Sequence, residues 1–171
     1  MHISQDDFLM FVDRALDGML QIVEALGDDR CHLIPDLPGA NSPYAILFHC
    51  VGLTHFWIGT FIAGRHVERD RTAEFRARGS VSEIRKMVKD LKHQLRANLL
   101  HVQGDKPLSQ QPPAAYTPLP EEQGWTQSAV LIHTFEELAQ HHGQMELSRD
   151  MIMRRESGDW DGDDERLLDQ R

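Results

Sequence analysis

The chain has 171 residues, of which 40% are hydrophobic and 26% charged, and a formal net charge of -9. Its length predicts one domain, and no stretch is expected to reach the roughly 20 apolar residues that a membrane-spanning helix requires. The acidic balance, without a long run of lysine and arginine, argues against nucleic-acid binding because a phosphate backbone would be repelled.

The first predicted helix spans residues 4–26, where apolar side chains recur at steps of three and four and so share one buried face. These are Phe8, Val12, Leu16, Met19, Val23 and Leu26. Gly27 is expected to end this helix. Ser42 and Pro43 then supply an N-cap and a favoured first residue for a second helix, predicted to run to about residue 63.

An imidazole interrupts the buried stripe of the second predicted helix. The stripe otherwise consists of Ile46, Leu53 and either Phe56 or Trp57, and His49 occupies a position between them at helical spacing. A histidine in such a line is a candidate for a special contact, because a buried imidazole requires a polar partner.

Residues 65–79 are rich in charge and have no helical period, which predicts a connection that crosses one end of the bundle. Within it, the run Arg69–Arg71, with Glu74 and Phe75, could place a cation over the mouth of a site. A solvated charged loop is the favoured interpretation of this composition.

Two further helices follow. Ser80 and Glu83 match a capping box, which predicts a third helix that Gly104 ends. Its apolar stripe is predicted to consist of Ile84, Val88, Leu91, Leu95, Leu99 and Val102. Residues 105–124 are rich in proline and predict a long loop of the kind that often covers a functional site. The fourth helix is predicted over residues 126–154.

Four helices with one buried face each predict an all-α fold, an up-down four-helix bundle with a long loop between helices 3 and 4. Residues 1–155 are assigned to this domain. Residues 156–171 are acidic and lack a packing stripe, which predicts a mobile C-terminal tail.

The fourth predicted helix carries a polar column beside its apolar residues. His133, Glu137 and His141 are four residues apart and therefore stack one turn above another. Glu137 and His141 can hold one metal ion together, whereas His133 lies about 12 Å from His141 along the axis, too far for atoms about 2 Å from a metal. A third ligand must come from another helix, and His49 is the best candidate.

Less specific interpretations stay open for these residues. A Glu/His pair one turn apart is often a solvated helix pair, and a histidine in an apolar stripe is often bonded to a backbone carbonyl. His133 is either a substrate or catalytic contact above the metal or a plain core residue. His142 is rotated by about 100° from His141 and is predicted to face the surface or a neighbouring chain. His55 is interpreted as structural.

Two motifs resemble a known superfamily. The run HTFEELAQHHGQMELSRD is similar to the last bundle helix of the DinB superfamily, which includes the mycothiol-dependent maleylpyruvate isomerase and related thiol transferases. The segment NSPYAILFHCVGLTHFW resembles the second helix of that superfamily, and the resemblance covers roughly residues 4–153. Many members use one histidine of helix 2 and a later His-x-x-x-His pair. Here Glu137 replaces the first histidine of the pair, which is similar to the isomerase-like branch with its zinc-binding His, Glu, His site.

By matching positions, the resemblance implies that His49, Glu137 and His141 are the metal ligands. It implies zinc, although nickel, iron and manganese suit the same ligands. Three protein ligands leave a coordination position open, and a metal-bound thiol loses its proton near neutral pH. The implied activity is that of a transferase or thiol-assisted isomerase, which delivers mycothiol or bacillithiol to a small electrophilic substrate. A homodimer is also expected, because bundles of this superfamily commonly pair.

Two other functions stay open on the sequence alone. Zinc-bound water could act as a hydrolytic nucleophile, with Glu136 or His133 as its base. Alternatively, the bundle could be a non-enzymatic, metal-binding stress-response protein.

The cysteines and the N-terminus bear on the compartment. Cys31 and Cys50 are too few for a disulfide framework and are interpreted as free thiols, with Cys50 buried. The N-terminus lacks the features of an export signal, which predicts a cytoplasmic protein.

Overall fold

The residues that the structure describes form five helices. The structure, a computed structural model, describes residues 3–100, 102–110 and 123–157, with side chains to Arg154. The helices are α1 (Gln5–Arg30), α2 (Pro43–Phe61), α3 (Arg71–Glu74), α4 (Val81–Leu99) and α5 (Gln127–Ser157). The one-turn helix α3 is absent from the sequence prediction.

The four long helices of the described chain pack as a bundle around one apolar core. Both α1 and α2 lie against α4 and α5, so α4 and α5 occupy opposite corners. Most residues of the two predicted stripes are buried in this core: Val12, Leu16, Met19, Val23 and Leu26 in α1, and Ile84, Val88, Leu91, Leu95 and Leu99 in α4. The remaining stripe residues, Phe8 and Val102, are partly buried against it. The prediction of an all-α helical bundle is confirmed.

The helix α2 is buried along almost its whole length, since all its residues except Phe48, Gly52 and His55 are buried. Contrary to the sequence expectation, α2 is long and apolar enough to cross a membrane by length and composition alone. However, 83% of its apolar stretch is buried inside the bundle. The apolar character of α2 therefore matches its position as the core helix, because core helices are apolar on all sides.

Two helices begin where their caps predict. The side-chain oxygens of Ser42 and Ser80 accept hydrogen bonds from the backbone N–H groups of Ala45 (3.3 Å) and Glu83 (3.2 Å). The Glu83 carboxylate accepts in turn from the backbone N–H of Ser80 at 2.7 Å, which completes the capping box. Both predicted helix starts are confirmed.

The end of α1 differs from the prediction. Gly27 has φ 70° and ψ 176°, a conformation largely restricted to glycine, and after this kink the helix continues to Arg30.

We expect Gly27→Ala to lower the free energy of unfolding by about 1–3 kcal/mol, measured by urea denaturation. Gly143→Ala is the control, because an added Cβ meets open space inside α5, and it should stabilise by about 0.4–1 kcal/mol. A Gly27→Ala variant as stable as the natural chain would contradict this account.

Two sequence predictions fall mainly outside the described residues. Residues 111–122 make up much of the predicted long loop, and residues 158–171 most of the predicted tail. The described part of this loop packs against the C-terminal end of α2. There the Ser109 backbone N–H donates a hydrogen bond to the Phe61 carbonyl at 2.8 Å.

Candidate metal centre

The three predicted metal ligands converge between α2 and α5. One potential ligand atom from each of His49, Glu137 and His141 lies within 4.8 Å of the other two. The rings of His49 and His141 meet edge to face with centroids 5.0 Å apart, and His141 Nε2 is 3.7 Å from Glu137 Oε2. Donors about 2 Å from one tetrahedral metal are themselves about 3–4 Å apart. Small side-chain adjustments would therefore bring these atoms around one ion.

The three side chains of the cluster differ in their exposure to solvent. His49 is 1% exposed, since it belongs to the buried stripe of α2. The side chains of Glu137 and His141 are 31% and 20% exposed, because they lie one turn apart near the edge of the α5 surface that faces α2. His49 thus forms a buried floor, and the α5 pair forms a rim that small molecules can reach.

Both imidazoles use Nδ1 for a hydrogen bond to an oxygen. His49 Nδ1 is 2.8 Å from Glu74 Oε2, and His141 Nδ1 is 2.9 Å from Gln144 Oε1. The Glu74 carboxylate can only accept, so His49 Nδ1 donates and the lone pair of its Nε2 is left for another partner. The amide oxygen of Gln144 accepts from His141 Nδ1 in the orientation seen here, which leaves Nε2 of His141 in the same state. Metal-binding histidines typically show this arrangement, in which one ring nitrogen contacts an oxygen and the other the metal. The donor set therefore fits a divalent ion.

The protonation state of His141 also suits a metal. Burial lowers the pKa of His141, and this effect exceeds the opposing influence of its hydrogen bond to Gln144. The imidazole is therefore neutral at pH values where an ordinary histidine would begin to be protonated. Neutral imidazole is the form that binds metal, so His141 is available as a ligand near neutral pH.

A buried ion pair lies directly behind His49. Arg69 Nε donates to Glu74 Oε1 at 3.0 Å, and the two side chains are only 14% and 7% exposed. The solvated loop favoured by composition is therefore wrong for these two residues. Asp70 caps α3 by accepting from the Ala73 backbone N–H at 2.9 Å, and this single turn carries Glu74 inward to His49.

Glu74 is ionised despite its burial. Burial alone would raise the pKa of its carboxyl group, but hydrogen bonds from His49 and Arg69, together with the Arg69 charge, outweigh this effect and lower the pKa. Glu74 can therefore act only as a hydrogen-bond acceptor toward His49 near neutral pH.

Gly52 makes room for Glu74 against α2, one turn after His49. A Cβ at position 52 would lie 2.2 Å from Glu74 Oε1, closer than any van der Waals contact. We expect Gly52→Ala to push the carboxylate away from α2 and to lower the free energy of unfolding by about 1–3 kcal/mol, measured by urea denaturation. In a Glu74→Ala background the same substitution should have a smaller effect. Equal effects in both backgrounds would contradict the proposed fit.

The structure places His133 one turn before Glu137, outside the metal cluster. Its ring is half-buried, with centroid distances of 4.7 Å to the Trp57 ring and 5.0 Å to the Trp125 ring. This position agrees with the expectation that His133 does not share a metal with His141. Its assignment as a catalytic residue stays a prediction.

Two other polar residues of α5 point away from the cluster. His142 packs on α1, where its Nε2 would lie 2.3 Å from a Cβ added at Gly18. Glu136, the alternative hydrolytic base, is exposed and accepts a hydrogen bond from Gln140 Nε2 at 3.1 Å. The geometry therefore does not favour a hydrolase that relies on Glu136.

The two cysteines are free thiols and Cys50 is buried, as the sequence predicts, and Cys31 is buried as well. Burial, assisted by the nearby charge of Asp28, raises the pKa of Cys31 to about 11. Burial also raises the pKa of Cys50, and the carboxylates of Glu137 and Glu74 raise it further. Neither thiol ionises near neutral pH, so a reactive sulfur at this site would have to come from another molecule.

The family comparison agrees with the chemistry of this cluster. A family model described as Mycothiol-S-transferase matches residues 7–153, a range that includes the three candidate ligands and the ion pair behind His49. No curated protein and no solved structure gives a significant match.

Proposed function

Because the chain belongs to the mycothiol S-transferase family, a DinB-like family, we propose that it is a metal-dependent transferase that delivers mycothiol to a small electrophilic substrate. The resemblance to the mycothiol-related branch of that superfamily is confirmed. The observation that carries the proposal is the convergence of His49, Glu137 and His141 within 4.8 Å of one another.

In this proposal, His49 and His141 bind a divalent ion through Nε2, and Glu137 binds it through one carboxylate oxygen. When bound, the ion supplies a Lewis-acidic centre with an open position, which favours the thiolate form of a cosubstrate thiol. Zinc suits this donor set, as do nickel, iron and manganese. The family name favours mycothiol over bacillithiol as the thiol.

The surrounding residues support a role for an external thiol. The raised pKa values of Cys31 and Cys50 keep both protein thiols protonated, so neither would compete as a nucleophile. His49 is buried, while the partly exposed side chains of Glu137 and His141 make the site accessible from α5. An incoming sulfur would therefore approach from the α5 rim.

The proposal retains His133 as a substrate or catalytic contact. Its place one turn before Glu137, and its packing between Trp57 and Trp125, would let its ring border a substrate held at the rim. A cytoplasmic location and a homodimer are part of the same proposal, since mycothiol is a small intracellular thiol and members of this superfamily commonly pair.

The test uses full-length protein purified without a histidine tag. Elemental analysis should find about one divalent ion per chain, and the protein should speed the reaction of mycothiol with a fluorogenic bimane electrophile. A chelator should abolish this activity, and zinc should restore it. Activity that survives complete metal removal would overturn the metal dependence, and a metal-loaded protein that transfers mycothiol to none of a panel of electrophiles would overturn the transferase assignment.

A further inference from the structure

The proposed function leaves the ion pair behind His49 unexplained. Both nitrogens on one edge of the Arg69 guanidinium contact the Glu74 carboxylate, Nε at 3.0 Å from Oε1 and Nη2 at 3.0 Å from Oε2. Two parallel bonds of this kind fix the carboxylate in direction as well as in place. The Arg69 guanidinium also lies over the Phe56 ring, 5.6 Å from its centroid, which fixes the arginine against α2.

The fold alone gives little reason for this pair. A buried ion pair is seldom more stable than apolar side chains of similar volume, because both charges lose their hydration. The helix that carries Glu74 has four residues, so it offers little structure for the pair to stabilise. Within the described residues, the Glu74 carboxylate accepts one more hydrogen bond, from His49, whose Nδ1 lies 2.8 Å from Oε2.

We propose that Glu74 is a positioning residue that holds His49 in the tautomer and orientation needed to bind the metal, and that Arg69 in turn holds Glu74. The inference rests on the proposed function, since it takes His49 as a metal ligand. An ionised carboxylate can only accept a hydrogen bond, so it selects the imidazole form with the proton on Nδ1 and the lone pair on Nε2. Phe75, stacked on the His49 ring at 4.2 Å, limits rotation of that ring.

The two histidines differ in this respect. His141 contacts the neutral amide of Gln144, which is exposed and lies on the same helix. His49 contacts a buried carboxylate brought from another segment, 25 residues later in the chain. His49 is thus the pre-oriented ligand, because side chains of residues 69–75 hold its imidazole ring in place.

Glu74→Gln is the direct test, because an amide can either accept from Nδ1 or donate to it and so no longer selects one tautomer. We expect zinc affinity, measured by competition with a chromophoric chelator, to fall about 10- to 100-fold. In the metal-free protein, ¹⁵N–¹H correlation spectra of the imidazole should show Nδ1-protonated His49 in the natural chain and a mixture of tautomers in the variant. Glu24→Gln is the matched control, since Glu24 also pairs with an arginine, Arg85 at 2.8 Å, but away from the site.

The tautomer readout separates this inference from the proposed function. If the natural chain binds no divalent metal ion, the proposed function fails, and the spectra of the metal-free protein still test the role of Glu74. An unchanged His49 tautomer in Glu74→Gln, or a zinc affinity within about twofold of the natural chain, overturns the inference. If Glu74→Gln does not fold, Arg69→Lys provides the second variant, because an ammonium cannot hold both carboxylate oxygens in the same way. It should weaken zinc binding in the same direction, and unchanged affinity would overturn the role of Arg69.

Discussion

His141→Ala is expected to abolish tight zinc binding and to lower the rate of mycothiol transfer by more than about 100-fold. The substitution removes one of three proposed ligands, and the loss of a hydrogen-bond partner behind a ligand already lowers metal affinity about 10- to 100-fold. Burial lowers the pKa of His141, so its imidazole binds metal near pH 7 without first losing a proton. Calorimetric titration of the metal-free protein with zinc and the bimane assay measure the two effects.

The adjacent residue supplies a matched control for this prediction. His142→Ala removes an imidazole from the same helix, but one that packs on α1 at Gly18 rather than facing the cluster. We expect this variant to bind zinc with natural affinity and to retain transferase activity. Equal losses in the two variants would show that the helix, and not the His141 ligand, is responsible.

The parts of the fold that depend on local pattern were predictable from the sequence. The apolar stripe of α4 and its capping box are both found where the spacing places them. His49 and the Glu137/His141 pair could be linked because each breaks the pattern of an otherwise ordinary helix. The three side chains come together because α2 packs against α5. The spacing of residues along each helix suggests this packing but does not determine it.

Arg69 and Glu74 were singled out from the sequence as possible neighbours of a site, but their burial as an ion pair behind His49 was not predicted, and the reason is physical. Arg69 and Glu74 lie in a segment without periodicity, and most charged residues in such segments are solvated. Their burial depends on a tertiary contact with α2, which no local pattern encodes. A further sequence signal was Gly52, because glycine weakens a helix interior and its presence there is typical of a close approach by another group. A glycine one turn after a candidate ligand, inside an apolar helix, is therefore worth testing for a partner from elsewhere in the chain.

Glu74→Leu is expected to lower the free energy of unfolding of the metal-free protein by about 3–5 kcal/mol. The substitution leaves the Arg69 guanidinium, 14% exposed, without its carboxylate. Urea denaturation in the presence of a chelator measures this effect without a contribution from bound metal. Glu24→Leu is the control, because the Glu24 and Arg85 side chains are 34% and 55% exposed, and loss of such an exposed pair changes stability by less than about 1 kcal/mol.

The double variant Arg69→Met/Glu74→Leu separates stability from metal binding. Most of the lost stability should return, because two apolar side chains of similar volume replace a buried ion pair at little or no loss. Zinc affinity should stay as weak as in Glu74→Leu, because no carboxylate remains to select the Nδ1-protonated form of His49. Recovery of both properties would mean that the pair serves the fold alone. Recovery of neither would mean that an unpaired charge is not what destabilises the single variant, and that the shape of the pair matters more than its charge.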